Sequence, residues 1–293
     1  MVKPNFIIAG AQKSGTTTLF DILKQHPDIF LPEIKETHFF DNDFFYQKGL
    51  TWYTKTFFKN HAGERAVGDN TPDFMFEPDV PKRIYENLGK ETKLIFILRN
   101  PADRMYSYYN MQLKSGVISP DTSFYKYVKE ELKRPEPPEP KNSFIIPSLY
   151  GKLVERYLKY FPIENMFFIC FEEDFLLHPN STIIKLQKYI GVEPIELKTN
   201  IRSNPRREPR LRLVWKIWNL PSVKNFGKKI LRDPNKRRKF RWLVDKLNTK
   251  TVKSSSKLEP EVRKELINDI FMQDIKKLEK FTNKDFGIWY QDK

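Results

Sequence analysis

The sequence predicts a three-layer α/β fold, a central parallel sheet with helices on both faces. Three fully apolar runs of strand length point to it, as do the helical patterns between them and the large side chains that fill a core. The first run, Phe6 to Gly10, carries an adjacent Ile pair and ends in Gly, so it reads as a buried strand feeding a loop. Thr16 to Gln25 then reads as a helix. Leu94 to Leu98 is a second buried strand, closed by Arg99, Asn100 and Pro101, where proline suits the first turn of the helix that follows. Asn165 to Phe171 is the third strand. Helical patterns over 80–88, 102–113, 148–161 and 181–190 alternate with the strands, and that alternation is what a parallel sheet requires. Stretch 134–140 holds four prolines and predicts an extended surface loop. Glu259 to Phe281 carries Val262, Leu266, Ile270, Ile275 and Leu278 at roughly helical spacing, which predicts a long C-terminal helix on the core.

The chain has 293 residues, and its 24 Phe, 13 Tyr and 5 Trp exclude a fully disordered polypeptide. One domain over 1–293 is expected, with a basic, partly helical excursion at about 202–250. No apolar run exceeds six residues, too short for a membrane-spanning helix or for the apolar part of a signal peptide. The single cysteine, Cys170, forbids an intrachain disulfide and suits a reducing compartment, so a cytoplasmic, unexported protein is expected.

The formal charge is +15, yet residues 202–250 hold 17 basic and 3 acidic side chains, so nearly all the excess lies there. The remainder is close to neutral, and no nucleic-acid reading motif accompanies the charge, so a nucleic-acid partner is not expected. Three readings of the segment stay open. It is a helical flap packing Leu211, Val214, Trp215 and Trp218 on the core, a surface for an acidic glycan or lipid head group, or a peripheral membrane contact through Trp215, Trp218 and Trp242.

Gly10 to Thr17 (Gly-Ala-Gln-Lys-Ser-Gly-Thr-Thr) follows a strand and opens a helix, where backbone N–H groups and the helix dipole converge on phosphate. The loop resembles a P-loop, but Thr16 occupies the Walker lysine position and the cation sits three residues earlier at Lys13. The strand that should end in a magnesium-binding carboxylate ends instead in Arg99, a second anion ligand. Ser107, eight residues on, turns to nearly the same side of the helix as Arg99. The two sites together describe a nucleotide with phosphates at both ends. A tight strand-to-helix turn with an exposed lysine, and an arginine merely closing the sheet, are the alternatives.

These motifs resemble those of sulfotransferases that use 3′-phosphoadenosine 5′-phosphosulfate (PAPS), and most of all the heparan sulfate and related carbohydrate branch. The run Ala11 to Thr17 is similar to the family's phosphosulfate loop, and Leu98 to Ser107 to its 3′-phosphate strand and helix. Glu36 to Phe40, Gly49 to Tyr53, Thr71-Pro72, Ser148 to Tyr150 and Tyr160-Phe161 follow in the family's order, and the C-terminal helix ending in Trp289 is also similar. The resemblance implies a P-loop-like fold and sulfonate transfer from PAPS to a hydroxyl, on a carbohydrate or glycoconjugate, without a metal. It implies that Lys13 acts on the bridging oxygen of the phosphosulfate, that Ser14, Gly15, Thr16 and Thr17 hold the 5′-phosphate, and that Arg99 and Ser107 hold the 3′-phosphate. Glu36 stands at the branch's general-base position; His38, on the same side of an extended segment, orients the acceptor, tunes Glu36 or replaces it. Lys253 or Lys257, in a basic hydroxylated stretch, corresponds to the cofactor-clasping loop.

Two departures bear on the acceptor. Asn70 stands where related enzymes have a lysine before Thr-Pro, and the late cysteine pair is missing. Two other function classes stay open. A P-loop kinase or NTPase would show magnesium dependence, and a non-catalytic polyanion- or membrane-binding module would show salt-sensitive binding without product.

Overall fold

The computed structural model describes residues 2–119, 121–135, 139–201, 207–209, 249–251 and 257–291, the two short pieces 207–209 and 249–251 by their backbone. Five strands form one sheet: β1 (Phe6–Gly10), β2 (Ile29–Phe30), β3 (Ala66–Asn70), β4 (Lys93–Leu98) and β5 (Met166–Cys170). Their order is β2-β3-β1-β4-β5 and every pairing is parallel, the sheet the alternating pattern predicts.

Period-two alternation divides the apolar side chains between two cores. Ile7 and Ala9 of β1 join Leu94, Phe96 and Leu98 of β4 on one face, while Phe6 and Ile8 join Ile95 and Ile97 on the other. The second face is covered by α1 (Thr16–Leu23), and the first by α2 (Asp43–Tyr46), α3 (Gly49–Phe57), α4 (Val80–Leu88), α5 (Pro101–Ser115), α6 (Phe124–Leu132) and α7 (Tyr150–Leu158). Next along the chain, α8 (Pro179–Ile190) returns to the α1 side through Ile183, Leu186 and Ile190. Phe96 shows how tightly the larger core closes, with its ring 5.1 Å from Tyr157 and stacked 5.3 Å from Phe168. Each such buried ring contributes about 1.5–3 kcal/mol relative to exposure.

β2 and β3 escape the sequence pattern. β2 has two residues, and β3 ends in Gly68, Asp69 and Asn70, which read as turn chemistry. Asp69 is tolerated because its burial is matched by donors: Oδ2 accepts from Thr37 Oγ1 and the Tyr53 hydroxyl, both at 2.6 Å, and Oδ1 accepts from Thr71 Oγ1 at 2.9 Å.

The C-terminal helix runs as α9 (Pro260–Leu266), a π-helical stretch Ile267–Phe271, and α10 (Met272–Thr282), so one predicted helix is interrupted by a wider turn. It docks on α7 through Asp274, whose carboxylate accepts the amides of Gly151 and Lys152 at 2.8 Å each. Of the proline-rich stretch, 136–138 lie outside the described residues. Its ends are tied by Glu131, which accepts from the Ser143 hydroxyl and the amides of Phe144 and Ile145.

The basic excursion is closed at its base by β6 (Arg207–Pro209) running antiparallel to β7 (Thr249–Thr251). Residues 202–206, 210–248 and 252–256, with Trp215, Trp218, Trp242 and Lys253, lie outside the described residues. Among the described residues, no helix is long and apolar enough to cross a membrane.

Candidate active site

β1 sits at the point where the strand order reverses, with β3 on one side and β4 on the other. In open α/β sheets the loops leaving such neighbouring strands diverge and leave a crevice for ligand. The loops after β1 and β4 are those carrying Lys13 and Arg99.

The glycine loop is shaped by backbone that side chains would spoil. Gly15 adopts φ 103° as the N-cap of α1, and a Cβ there would lie 2.9 Å from the ring edge of Phe171. A Cβ at Gly10 would lie 2.6 Å from Cβ of Met75. The Ala11 amide donates to Ile97 of β4 at 2.9 Å and the Ser14 amide to Ala11 at 3.2 Å, leaving the first amides of α1 as the anion-facing donors of a helix N-terminus. Ser14 is fully buried and Thr16 buried, while Thr17 is half-buried and its hydroxyl accepts from Lys35. Lys13, half-buried at φ 72°, is lowered below the ordinary lysine value first by burial and then by Lys114, Arg99 and Arg104, with Glu36 acting against them.

Arg99 is gripped through its backbone. Tyr150 donates to its carbonyl at 2.9 Å, and Glu172 accepts the next amide, that of Asn100, at 3.0 Å. The other oxygen of Glu172 accepts Trp289 Nε1 at 2.8 Å, and Asn100 caps α5 by accepting from Ala102 and Asp103. The guanidinium carbon lies 5.5 Å from the centre of the Phe171 ring, and Nε is buried without a partner among the described residues. Phe171 thus joins the two anion sites, touching the glycine loop on one side and Arg99 on the other. Ser107 is half-buried on the second turn of α5. Lys257 is exposed beside the buried Leu258, at the foot of α9.

Glu36 and His38 do not lie on an extended segment, which corrects the sequence expectation. Both take left-handed backbone, φ 62° and 51°, because Thr37 between them is pulled into the buried Asp69 and Thr71 network. The Glu36 amide donates to Asn70 at 3.1 Å, and its exposed carboxylate lies 4.0 Å from Lys35. His38 Nδ1 pairs with Asp41 at 2.8 Å. That hydrogen bond, reinforced by the charges of Asp41, Asp73 and Glu36 against the opposing effect of burial, pushes the imidazole up to about 9.

The sign of this shift fixes a pH effect. The pair's stabilisation is complete below the ordinary histidine value of about 6.5 and is lost as pH rises through about 9. Urea unfolding of wild type and His38→Gln is expected to show a gap in stability at about pH 6 that closes by about pH 10. A gap that stays constant or widens would contradict the pairing.

Lys35, Asp41, Asp73 and Glu172 were not legible as site residues. Lys35, Asp73 and Glu172 enter through contacts with Thr17, Gln12 and Trp289 in distant segments, and Asp41 through His38 three residues before it.

A family model described as a sulfotransferase domain matches residues 3–241. A heparan sulfate glucosamine 3-O-sulfotransferase 5 of Mus musculus is 32% identical over 206 residues, 70% of this chain and 58% of that protein. A bifunctional heparan sulfate N-deacetylase/N-sulfotransferase of Drosophila melanogaster is 31% identical over 211 residues, 66% of this chain and 20% of that one. The chain therefore spans little more than half the length of the first of these relatives. The crystal structure of a sulfotransferase from Alicyclobacillus acidocaldarius superposes with a TM-score of 0.69 at 25% identity, covering 99% of both chains. With the glycine loop, the arginine strand end and the sheet order all inside the matched region, this chain belongs to the sulfotransferase family.

Proposed function

We propose that this chain transfers the sulfonate of PAPS to a hydroxyl of a carbohydrate or glycoconjugate, releasing 3′,5′-ADP, with no metal required. The observation that carries the reading is the glycine loop between β1 and α1, where the half-buried Lys13 is influenced electrostatically by both Arg99 at the end of β4 and Glu36. The unpartnered Nε of Arg99 fits a nucleotide carrying a second, separate phosphate.

PAPS supplies the sulfonate and, as 3′,5′-ADP, the leaving group. Gly15, Thr16, Thr17 and the buried Ser14 shape the 5′-phosphate cradle, and Arg99 with Ser107 holds the 3′-phosphate. Lys13 offsets the negative charge that builds on the phosphate oxygen as its bond to sulfur breaks. Glu36 takes the proton from the acceptor oxygen as that oxygen bonds to sulfur. His38, held as an imidazolium to about pH 9, is suited to orient the acceptor rather than to take its proton.

Thermal unfolding with 3′,5′-ADP, 5′-ADP or ATP, each with magnesium or chelator, tests the reading. Stabilisation by 3′,5′-ADP alone, about 2.7 kcal/mol at about 100 times its dissociation constant and unaffected by chelator, is expected. A magnesium-dependent response to ATP would overturn it in favour of a kinase or NTPase.

A further inference from the structure

Glu36 sits on a strap, residues 35–38, laid against the end of β3, and both of its chain neighbours are tied down. On one side the Thr37 hydroxyl donates to the buried Asp69 at 2.6 Å, and the Thr37 amide donates to Thr71 Oγ1 at 3.0 Å. On the other side Lys35 Nζ donates to the hydroxyl of Thr17, the second residue of α1. Glu36 is thus fastened between the sheet and the helix that the glycine loop opens.

The Lys35 contact is more than a surface ion pair. The ammonium lies 5.8 Å from the centre of the Phe20 ring, also on α1, and the side chain is 21% exposed. Glu36, 4.0 Å away, is 45% exposed, and pairs of that kind contribute little to stability. Burial lowers Lys35 below the ordinary lysine value although Glu36 and Asp21 act against it, so the protein supplies less negative charge than this ammonium would take up. β3 adds no charge on the same face. Its last residue, Asn70, turned to the α1 side by its register opposite Ile8, is a buried neutral amide with neither side-chain polar atom partnered among the described residues.

A threonine hydroxyl has one proton and two lone pairs. With a lone pair of Thr17 taken by an ammonium, the hydroxyl proton is left to be donated elsewhere. Helical side chains tilt toward the N-terminus, so at the second position of α1 that donor stands beside the unpaired amides of the first turn. An anion seated there accepts from a hydroxyl polarised by the cation behind it.

We infer that Lys35 is a positioning residue for the 5′-phosphate of the nucleotide: it commits the Thr17 hydroxyl to donating to that phosphate and, through the same bond, ties the strap carrying Glu36 to the nucleotide cradle. The inference rests on the sulfotransferase reading above and adds to it a residue that acts without touching the nucleotide.

The test is a double-mutant cycle on binding and needs no turnover. Affinities for 3′,5′-ADP and for adenosine 3′-monophosphate, which lacks the 5′-phosphate, are measured by calorimetry on wild type, Lys35→Met, Thr17→Val and the double variant. Methionine keeps an unbranched stem beside Phe20, and valine keeps the shape of threonine. Lys35→Met is expected to weaken 3′,5′-ADP by about tenfold, in keeping with the loss of a charged hydrogen bond, and to leave adenosine 3′-monophosphate unchanged. In the Thr17→Val background the same change is expected to cost less than about twofold, because the hydroxyl through which it acts is gone. Unchanged affinity for 3′,5′-ADP, an equal loss on both nucleotides, or an undiminished loss in the Thr17→Val background overturns the inference. Failure of the wild type to bind 3′,5′-ADP would instead overturn the sulfotransferase reading.

Discussion

Lys13→Ala is expected to lower the rate of sulfonate transfer by at least about 10²–10³-fold while the protein still folds, the loss typical when one donor to a developing negative charge is removed. The half-buried ammonium lies in the loop that opens α1 and is influenced by both Arg99 and Glu36, which suits it to meet charge building on the leaving oxygen. Its lowered pKa, caused mainly by burial, shows an ammonium held partly out of water, where its field acts at short range with little screening. Alanine at φ 72° keeps a strained position of order 1–3 kcal/mol, no worse than lysine does, so melting temperature should change little. Lys13→Ala turning over like wild type would remove the residue from the chemistry.

Glu36→Gln is expected to lower turnover by about 10²–10⁴-fold, the usual contribution of a positioned general base. The glutamine keeps the shape and the backbone bond from residue 36 to Asn70, so the change removes the basic oxygen and little else. His38→Gln is expected to act mainly on acceptor affinity, because the ion pair with Asp41 keeps the imidazole protonated at neutral pH. Steady-state kinetics separates the two, with the loss in kcat for Glu36→Gln and in KM for His38→Gln. The opposite pattern would make His38 the base.

Much of the scaffold was legible because it depends on local periodicity. β1, β4 and β5 are apolar runs closed by Gly10, Arg99 and Phe171, and α4 matches its predicted 80–88 range to the residue. β2 and β3 were hidden because pairing, not pattern, makes them strands. Asp69 can sit buried in β3 only because Thr37 and Tyr53, far away in the chain, supply its donors.

The same cause explains the site. The glycine loop, Arg99 and Glu36 are short motifs readable where they stand. The left-handed backbone at Glu36 and His38 comes from the Asp69 network, 32 residues from Thr37, and an extended reading of the segment had no local contradiction. Glu172 reaches Trp289 across 117 residues, so the clasp behind Arg99 exists only in the folded chain.

The central claim is tested most directly by incubating the wild-type protein with PAPS labelled in its sulfonate, a panel of glycans and a metal chelator, and separating the products. Label on the glycan with an equal amount of 3′,5′-ADP is the expected result. Saturable binding of 3′,5′-ADP with the label left entirely on PAPS across the whole panel would contradict it and mark the chain as a nucleotide-binding module without transferase activity.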